Sequence, residues 1–322
     1  MVRPAPLRLA HVSDVHLPRV AALPPHLWNA KRILGKLNWQ TARRHDHDPA
    51  VLARIVADLA AHRPDHIAVT GDLVNLGLPD EYEAARAWLA ELGPPDRVSV
   101  VPGNHDIYVP LPAAVGIGRW ADHYTSGPAG PSGGALATSA AKPPPFPFVR
   151  RFAGGYGRIA LVGVNSAIPT PVFVAAGRLG DEQLRALEAE LRALAADGYL
   201  RVLLIHHPPL PGQAAHRRAL ADAVPLQAML ARAGAELVLH GHNHRNSVVW
   251  TAGPAGPIPV VGVASASSAR TRHGHADLAR YNLIELSRPG DSPVIDLVGR
   301  GLLTPSGEVV EVERTRLAGP VT

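Results

Sequence analysis

The hydrophobic pattern of the chain alternates between short apolar runs and helix-like segments up to about residue 240. Five runs typical of buried strands cover Leu7–Ser13, His66–Thr70, Arg97–Val101, Arg201–Ile205 and Leu237–His240. Apolar residues recur at helical spacing in four further segments, which are Pro49–Ala61, Asp80–Leu92, Asp181–Ala195 and Asp222–Ala233. Alternation of this kind predicts parallel strands with the helices packed outside the sheet.

Beyond residue 244 the pattern changes to short strands separated by Gly, Pro and Asp. They cover Ser247–Trp250, Ile258–Val263, Tyr281–Leu286, Val294–Val298 and Val309–Glu313. These strands form either an antiparallel second sheet or the far edge of the first. Two packed sheets with helices outside give an α/β fold of four layers, an α-β-β-α sandwich, which we expect to be a single domain over residues 1–322.

Side chains that favour metal ions stand at the ends of the predicted strands. The segments are Asp14-Val15-His16, Gly71-Asp72, Gly103-Asn104-His105-Asp106, His206-His207 and Gly241-His242-Asn243-His244. Ligands at the carboxyl ends of parallel strands converge on one edge of a sheet. The chain has no cysteine, and aspartate together with imidazole suits Mn, Fe, Zn or Co. These side chains are too many for one metal ion and about right for two.

The order of the five motifs resembles that of the calcineurin-like metallophosphoesterases, also called binuclear metallophosphatases. The resemblance spans residues 14 to 244 and implies two mixed sheets, with two divalent or trivalent metal ions at the C-terminal ends of the strands. It gives Asp72 the role of a bridging ligand. It assigns Asp14, His16 and His244 to the first metal ion, and Asn104, His206 and His242 to the second.

The resemblance also makes His105 the catalytic residue that contacts the phosphate and helps to protonate the leaving oxygen. An imidazole titrates near neutral pH, which suits a cationic hydrogen-bond donor or a general acid. Bound metal ions lower the pKa of water toward about 7, so the expected reaction is phosphoester hydrolysis by a metal-activated hydroxide. We expect Asp106 to cap the following turn.

One departure from the protein Ser/Thr phosphatases of this superfamily bears on the substrate. Those enzymes extend the second motif to Gly-Asp-x-x-Asp-Arg, whereas this chain has Asn75 and Leu76 at the last two positions. Without that arginine, a phosphomonoester dianion loses a bidentate partner. The chain therefore looks more like the bacterial phosphodiesterase branch, whose substrate would be a cyclic nucleotide or another small phosphodiester.

Two insertions interrupt the alternation, at about 17–47 and 108–148. The second is rich in Gly and Pro, and we expect a loop or cap at the mouth of the site. In the first, residues 26–39 can form an amphipathic helix, and Trp28 on it is a candidate substrate contact. Such a helix suits an acidic membrane surface or a lipid substrate; otherwise it is an apolar lid packed on the core.

Two alternatives to a phosphodiesterase of small substrates stay open. The first is a pyrophosphatase acting on a lipid-linked nucleotide such as UDP-diacylglucosamine, from a related family that shares the metal motifs. The chain lacks the acidic extension after Gly71-Asp72 that the best-known branch of that family would have. The second is a non-catalytic scaffold of the same fold, against which the complete ligand set and His105 argue.

Charge and targeting signals add expectations about partners. The net charge of +5 favours anionic partners. The arginines that produce it are scattered along the chain, and genomic base composition explains their number equally well. We therefore expect no specific nucleic-acid binding. Candidate substrate contacts are His207, Arg270, Arg272 and His273.

No signal peptide and no apolar run of about 20 residues is evident, so we expect a cytoplasmic protein or one peripheral at the inner membrane. The metal identity, physiological substrate and oligomeric state stay open.

Overall fold

The first sheet of the molecule combines a parallel half with an antiparallel half. The computed structural model describes residues 5–17, 23–41, 46–128, 146–270, 276–288 and 292–319. The strands of this sheet are β1 (Leu7–Val12), β2 (His66–Val69), β3 (Val98–Val100), β11 (Arg280–Ser287), β12 (Val294–Leu302) and β13 (Val309–Ala318), in the order β13-β12-β11-β1-β2-β3. Strands β1 to β3 pair in parallel, whereas β11 pairs antiparallel with β1 and begins a meander.

In the second sheet a parallel centre lies between two antiparallel strand pairs, and the edge strand β4 pairs in parallel with β5. Its strands are β4 (Gly127–Pro128), β5 (Phe148–Gly154), β6 (Gly157–Gly163), β7 (Leu200–Leu204), β8 (Leu237–His240), β9 (Ser247–Thr251) and β10 (Ile258–Gly262). Their order is β4-β5-β6-β7-β8-β10-β9. Strands β6, β7, β8 and β10 run parallel, and the pairs β5–β6 and β9–β10 are antiparallel.

Five α-helices flank the sheets in the described part of the chain: α1 (Ala30–Thr41), α2 (Pro49–Ala61), α3 (Pro79–Leu92), α4 (Asp181–Ala196) and α5 (Ala223–Ala233). Helix α2 begins where predicted, because Asp48 accepts a hydrogen bond from the Ala50 backbone N–H at 2.7 Å. Alternate residues of β7 belong to different cores: Val202 packs with residues of the first sheet, and Leu203 packs with α4 and α5. This arrangement confirms the α-β-β-α sandwich.

The C-terminal strands divide between the two sheets. Strands β11 to β13 form the far edge of the first sheet, one of the two alternatives left open, while β9 and β10 join the second sheet. The β5–β6 hairpin, which the hydrophobic pattern did not predict, lies next to the edge strand β4 on the other side of that second sheet.

The second insertion lies against the body of the protein wherever the structure describes it. Short 3-10 helices cover Ala113–Val115 and Ile117–Tyr124, and the buried ring of Trp120 lies 5.5 Å from that of Tyr82. Within 108–128 and 146–148, Tyr108 lines the site described below, and the loop or cap expected for the whole insertion stays a prediction. Residues 129–145 lie outside the described part. Among the described residues no helix is long and apolar enough to cross a membrane.

Candidate metal centre

The seven predicted ligands meet where β1, β2, β3, β7 and β8 end. His206 Nε2 lies 3.2 Å from both Asn104 Oδ1 and His242 Nδ1. His244 Nε2 lies 3.1 Å from Asp14 Oδ1 and 3.4 Å from His16 Nε2. Donor atoms that share one metal ion at about 2.0–2.2 Å stand roughly 3–3.5 Å from each other, and the spacing here is of that size.

Asp72 lies between the two groups of donors. Its Oδ2 is 3.7 Å from His16 Nε2 on one side and 3.5 Å from His206 Nε2 on the other. Asp72 belongs to two sets of described residues whose ligand atoms lie within 4.8 Å of one another. The first set is Asp72 with His16 and His105, and the second is Asp72 with His206 and His242. The two sets share one carboxylate, which is the arrangement that a bridging ligand requires.

The ligand loops have an unusual backbone conformation. Seven non-glycine residues of the described chain have positive φ, between 41° and 67°, and five of them are predicted ligands: Asp14, His16, Asp72, His242 and His244. This left-handed region is sparsely populated by residues with a Cβ and costs about 1–3 kcal/mol at each position. Such strain clusters at functional sites because the surrounding structure enforces it.

Asp106 holds the bridging loop together. Its carboxylate accepts hydrogen bonds from the backbone N–H groups of Asp72, Leu73, Val74 and Gly103 at 2.8–3.1 Å. Asp106 therefore joins two ligand loops, and these hydrogen bonds do not cap the following turn as predicted. Gly103 is required here, because a Cβ at this position would overlap the carboxylate of Asp72.

Backbone carbonyl groups fix the orientation of the histidine rings. His206 Nδ1 donates to the Thr70 carbonyl oxygen at 2.6 Å, which directs Nε2 toward Asp72. His242 Nε2 donates to the Arg218 carbonyl oxygen at 2.9 Å, which leaves Nδ1 facing His206. Metal-binding histidines characteristically donate their second ring N–H in this way.

The charges of the cluster suit a bound cation. Burial and the neighbouring His207 and His206 hold the pKa of His242 well below its usual value, so the ring is neutral, as a metal ligand must be. Burial and the charge of Asp72 raise the pKa of Asp106 to about 7. Asp14 Oδ1 is fully buried and has His244 Nε2 as its neighbour at 3.1 Å. A metal ion would supply the positive charge that these carboxylates lack, so the donor set fits the metal ions expected for the family.

His105 stands beside Asp72, the predicted bridging ligand. Its backbone N–H donates to Asp72 Oδ1 at 2.8 Å, and its ring Nδ1 donates to the Asn75 carbonyl oxygen at 2.6 Å. The ring stacks on Tyr108 with centroids 5.5 Å apart. The imidazole is thus fixed at the edge of the donor cluster without belonging to the two predicted ligand sets.

Comparison with known proteins decides the family. The family model for calcineurin-like phosphoesterases matches residues 7–246, which include every predicted ligand. The chain is a calcineurin-like phosphoesterase.

Curated relatives of this phosphoesterase are named phosphodiesterases. A probable cyclic nucleotide phosphodiesterase of Rhodococcus erythropolis is 28% identical over 250 residues, 76% of this chain and 67% of that protein. A glycerophosphodiester phosphodiesterase of Enterobacter lignolyticus is 50% identical over 44 residues. That match covers 14% of this chain and only 15% of the relative's length.

Solved structures agree with the fold. A dimetal phosphatase from Danio rerio superposes with a TM-score of 0.58 at 13% identity, and the alignment covers 98% of this chain and 99% of that one. At this identity the likeness concerns the fold alone.

A cavity of about 500 Å³ opens over the donor cluster of the phosphoesterase. Ligand side chains and His105 form its floor. Of the residues that the structure describes, three with cationic side chains line it: Lys31, Arg218 and Arg270. Apolar side chains of Leu34, Trp39 and Phe173 also line it, and Phe173 is 77% exposed.

The candidate substrate contacts have different positions. Arg270 lines the cavity and pairs with Asp46, Nε to Oδ1 at 3.0 Å. His207 is fully buried behind His242, where its ring bonds to Ser166 Oγ and the Ala175 carbonyl oxygen, so it supports the ligand rather than facing the cavity. Trp28 lies in a separate groove on the outer side of α1. Arg272 and His273 lie outside the described residues.

Three residues of the site have no motif that would identify them in the sequence. His47 is buried, with its ring centroid 4.4 Å from that of His16, and its Nδ1 lies 2.8 Å from Ser267 Oγ. Arg218 follows the histidine pair in a loop, and its Nη2 donates to the His242 carbonyl oxygen at 2.7 Å. Lys31 Nζ donates to Thr170, and burial lowers its pKa to about 8. His47 and Arg218 reach the site on loops that carry no periodic signal, and Lys31 reaches it on α1.

Proposed function

We propose that the protein hydrolyses small phosphodiesters at a dinuclear metal centre. The observation that carries the proposal is the position of Asp72 Oδ2, 3.7 Å from His16 Nε2 and 3.5 Å from His206 Nε2. A carboxylate shared between two donor groups is the feature that separates a two-metal site from a single-metal site.

The proposed ligands of the first metal ion are Asp14, His16 and His244, those of the second are Asn104, His206 and His242, and Asp72 is common to both. Metal ions held there would supply Lewis-acid polarisation of the phosphate and a nucleophile at neutral pH. The donors suit Mn, Fe, Zn or Co, since they combine carboxylate, amide oxygen and neutral imidazole.

The chain's own groups then bind the phosphate and move a proton. Arg218 and Lys31 offer positive charge along the cavity wall. His105, held through Nδ1 by the Asn75 carbonyl oxygen, donates from its other ring nitrogen to the leaving oxygen. A general acid placed in this way contributes about 10²–10⁴ in rate.

Preference for diesters follows from the apolar wall beside His105. Leu76 lines the cavity, is 2% exposed, and packs with Leu78 and Tyr108. No guanidinium stands at that position to grip the second charge of a monoester dianion. The relatives named above as phosphodiesterases support the same preference.

The test compares bis-p-nitrophenyl phosphate with p-nitrophenyl phosphate after reconstitution with Mn²⁺, alongside metal analysis of the purified protein. We expect a higher kcat/KM on the diester. A monoester preference of about tenfold or more, which is roughly 1.4 kcal/mol in the transition state, would overturn the diesterase proposal. Failure to hydrolyse either compound with any of the four metals would favour a non-catalytic scaffold.

A lipid-linked nucleotide is the second candidate substrate, because the mouth of the cavity carries exposed apolar side chains. Phe173 is 77% exposed and Leu34 is 39% exposed, and both line the cavity. With Phe173→Ala and Leu34→Ala together, hydrolysis of an acylated nucleotide diphosphate should fall far more than hydrolysis of bis-p-nitrophenyl phosphate. Equal losses on the two substrates would leave the lipid candidate without support.

A further inference from the structure

We propose that the outer face of α1 docks on the surface of an anionic lipid bilayer. The outer face consists of Ile33, Lys36, Leu37 and Gln40 on the helix and Trp28 in the turn before it. The four helical residues follow the spacing i, i+3, i+4 and i+7, so they share one side of the helix. This docking does not depend on the reaction proposed above.

Helix α1 is oriented with its apolar side away from the protein. A surface helix normally turns its apolar stripe toward the core. Here the inner side is anchored by Arg32, which is 3% exposed and donates to the carbonyl oxygens of Leu76 at 3.2 Å and Gly77 at 2.5 Å. Tyr108 Oη donates to the Lys31 carbonyl oxygen at 3.1 Å on the same side. Polar anchoring therefore leaves the apolar residues on the solvent side.

The outer face of α1 exposes an unusual number of large hydrophobic side chains for this molecule. Nine large hydrophobic side chains are exposed in the part of the chain that the structure describes, and four lie between residues 28 and 37. Trp28 is 60% exposed, Leu37 52% and Ile33 39%. With Leu23 and Lys36 they enclose a groove of about 220 Å³, which is smaller than the roughly 300–1,000 Å³ of a pocket for a free ligand.

The charge of this region is complementary to an anionic surface. Residues 17–45 contain six of the chain's 32 basic residues and none of its 27 acidic residues. The rest of the chain therefore has 26 basic and 27 acidic residues, so the basic excess lies in this segment and is not scattered as expected. Within it Arg32 faces the protein and Lys31 lines the cavity, whereas Lys36 belongs to the outer face. Clusters of Lys and Arg beside exposed Trp and Leu are typical of interfacial helices on acidic lipid.

A bilayer fits these observations better than a protein partner. The groove is shallow and the apolar residues lie on a convex helix, whereas partner proteins place anchors in deeper, fully desolvated pockets. A lysine among them can extend its amine to the headgroups while its methylenes stay in the apolar layer. Leu34, on the adjacent side of the same helix, lines the catalytic cavity, so docking would bring the cavity mouth close to the lipid surface.

Co-sedimentation with vesicles tests the proposal on the full-length protein. We expect binding to vesicles of phosphatidylglycerol mixed with phosphatidylcholine, weaker binding at high salt, and little binding to phosphatidylcholine alone. The variant Ile33→Ser with Leu37→Ser should weaken partition by about tenfold or more, given what burial of one such side chain contributes. Lys36→Glu, which leaves the apolar residues in place, should weaken binding at low salt only.

The matched control is Trp250→Ala with Val310→Ser, which removes two exposed apolar side chains on β9 and β13. It should bind vesicles like the natural sequence, and circular dichroism should show that all variants stay folded. Absence of vesicle binding by the natural sequence, equal binding to neutral vesicles, or equal loss in the control would overturn the proposal. Dimerisation abolished by the α1 variants without vesicle binding would assign the face to a second copy instead.

Discussion

His105 Nδ1 donates a hydrogen bond across 2.6 Å to the backbone carbonyl oxygen of Asn75. Because a carbonyl oxygen can only accept, the proton on Nδ1 is fixed and proton exchange with a substrate is left to Nε2. The backbone of residue 75 thus orients the imidazole, a task that the aspartate at the corresponding position performs in the protein Ser/Thr phosphatases.

Replacement of His105 should lower kcat by different factors for substrates with different leaving groups. In His105→Gln we expect a loss of about 10²–10⁴ in kcat on a diester with an alkyl leaving group, because the leaving oxygen is no longer protonated. On bis-p-nitrophenyl phosphate, whose leaving group departs readily as the anion, the loss should be much smaller. Metal content should equal that of the natural sequence, and His62→Gln, outside the cavity, is the control. The same loss on both substrates would contradict the role of general acid.

Removal of the bridging carboxylate should empty both metal positions. In Asp72→Ala we expect elemental analysis to find little metal at either position, because Oδ2 of this residue faces both donor groups. The control Asp181→Asn removes an exposed carboxylate at the start of α4 and should keep full occupancy. Two tightly bound ions per chain in Asp72→Ala would refute the assignment.

Loss of the Arg32 anchor should release α1 without unfolding the molecule. Arg32→Leu leaves the carbonyl oxygens of Leu76 and Gly77 without their donor, and an unsatisfied buried acceptor costs about 1–3 kcal/mol. Chymotrypsin should then cut within residues 28–39 much faster. Arg54→Leu is the control, since Arg54 on α2 also donates to two carbonyl oxygens, those of Pro305 and Gly307. Equal protection of α1 in Arg32→Leu and the natural sequence would show that the helix is held by other contacts.

Acid should destabilise the fold through buried neutral histidines remote from the metal centre. Burial, reinforced by the charge of Arg150, lowers the pKa of His66 to about 3, so between about pH 3 and 6.5 the unfolded chain binds a proton that the folded chain excludes. The free energy of unfolding therefore falls as pH falls through this range, by about 2 kcal/mol at pH 5 for this one residue.

Urea unfolding in the presence of a chelator measures this effect. Between pH 8 and pH 5, His66→Gln should lose about 2 kcal/mol less than the natural sequence, since glutamine does not titrate. Identical losses would mean that His66 takes up its proton in the folded state as readily as in the unfolded chain.

The sequence predicted the fold and the position of the donor cluster because both depend on local rules. Each ligand loop follows a buried parallel strand directly, so the ends of β1, β2, β3, β7 and β8 determine where the side chains go. The β5–β6 hairpin escaped prediction because its alternation is broken by Arg150, which is fully buried and donates to the Asp122 carbonyl oxygen.

The orientation of α1 could not be predicted from hydrophobic periodicity. A stripe of apolar residues indicates that a helix has two sides, but not which side faces the protein. Here the buried Arg32 decides the matter, through carbonyl groups 44 and 45 residues away in sequence. Leu34 accordingly lines the cavity over the donor cluster, whereas Trp28 and Ile33 line the separate groove on the outer face of α1.

The left-handed backbone at five predicted ligands has a consequence for anyone who engineers this protein. Glycine occupies that region without a steric penalty, so metal-free protein should gain heat resistance when the partly exposed His244 becomes glycine. A screen for thermostable variants carried out in chelating buffer would therefore enrich sequences that have discarded their ligands. Selection with metal present should reverse this ranking of variants by stability, because metal binding then stabilises only the chains that keep their ligands.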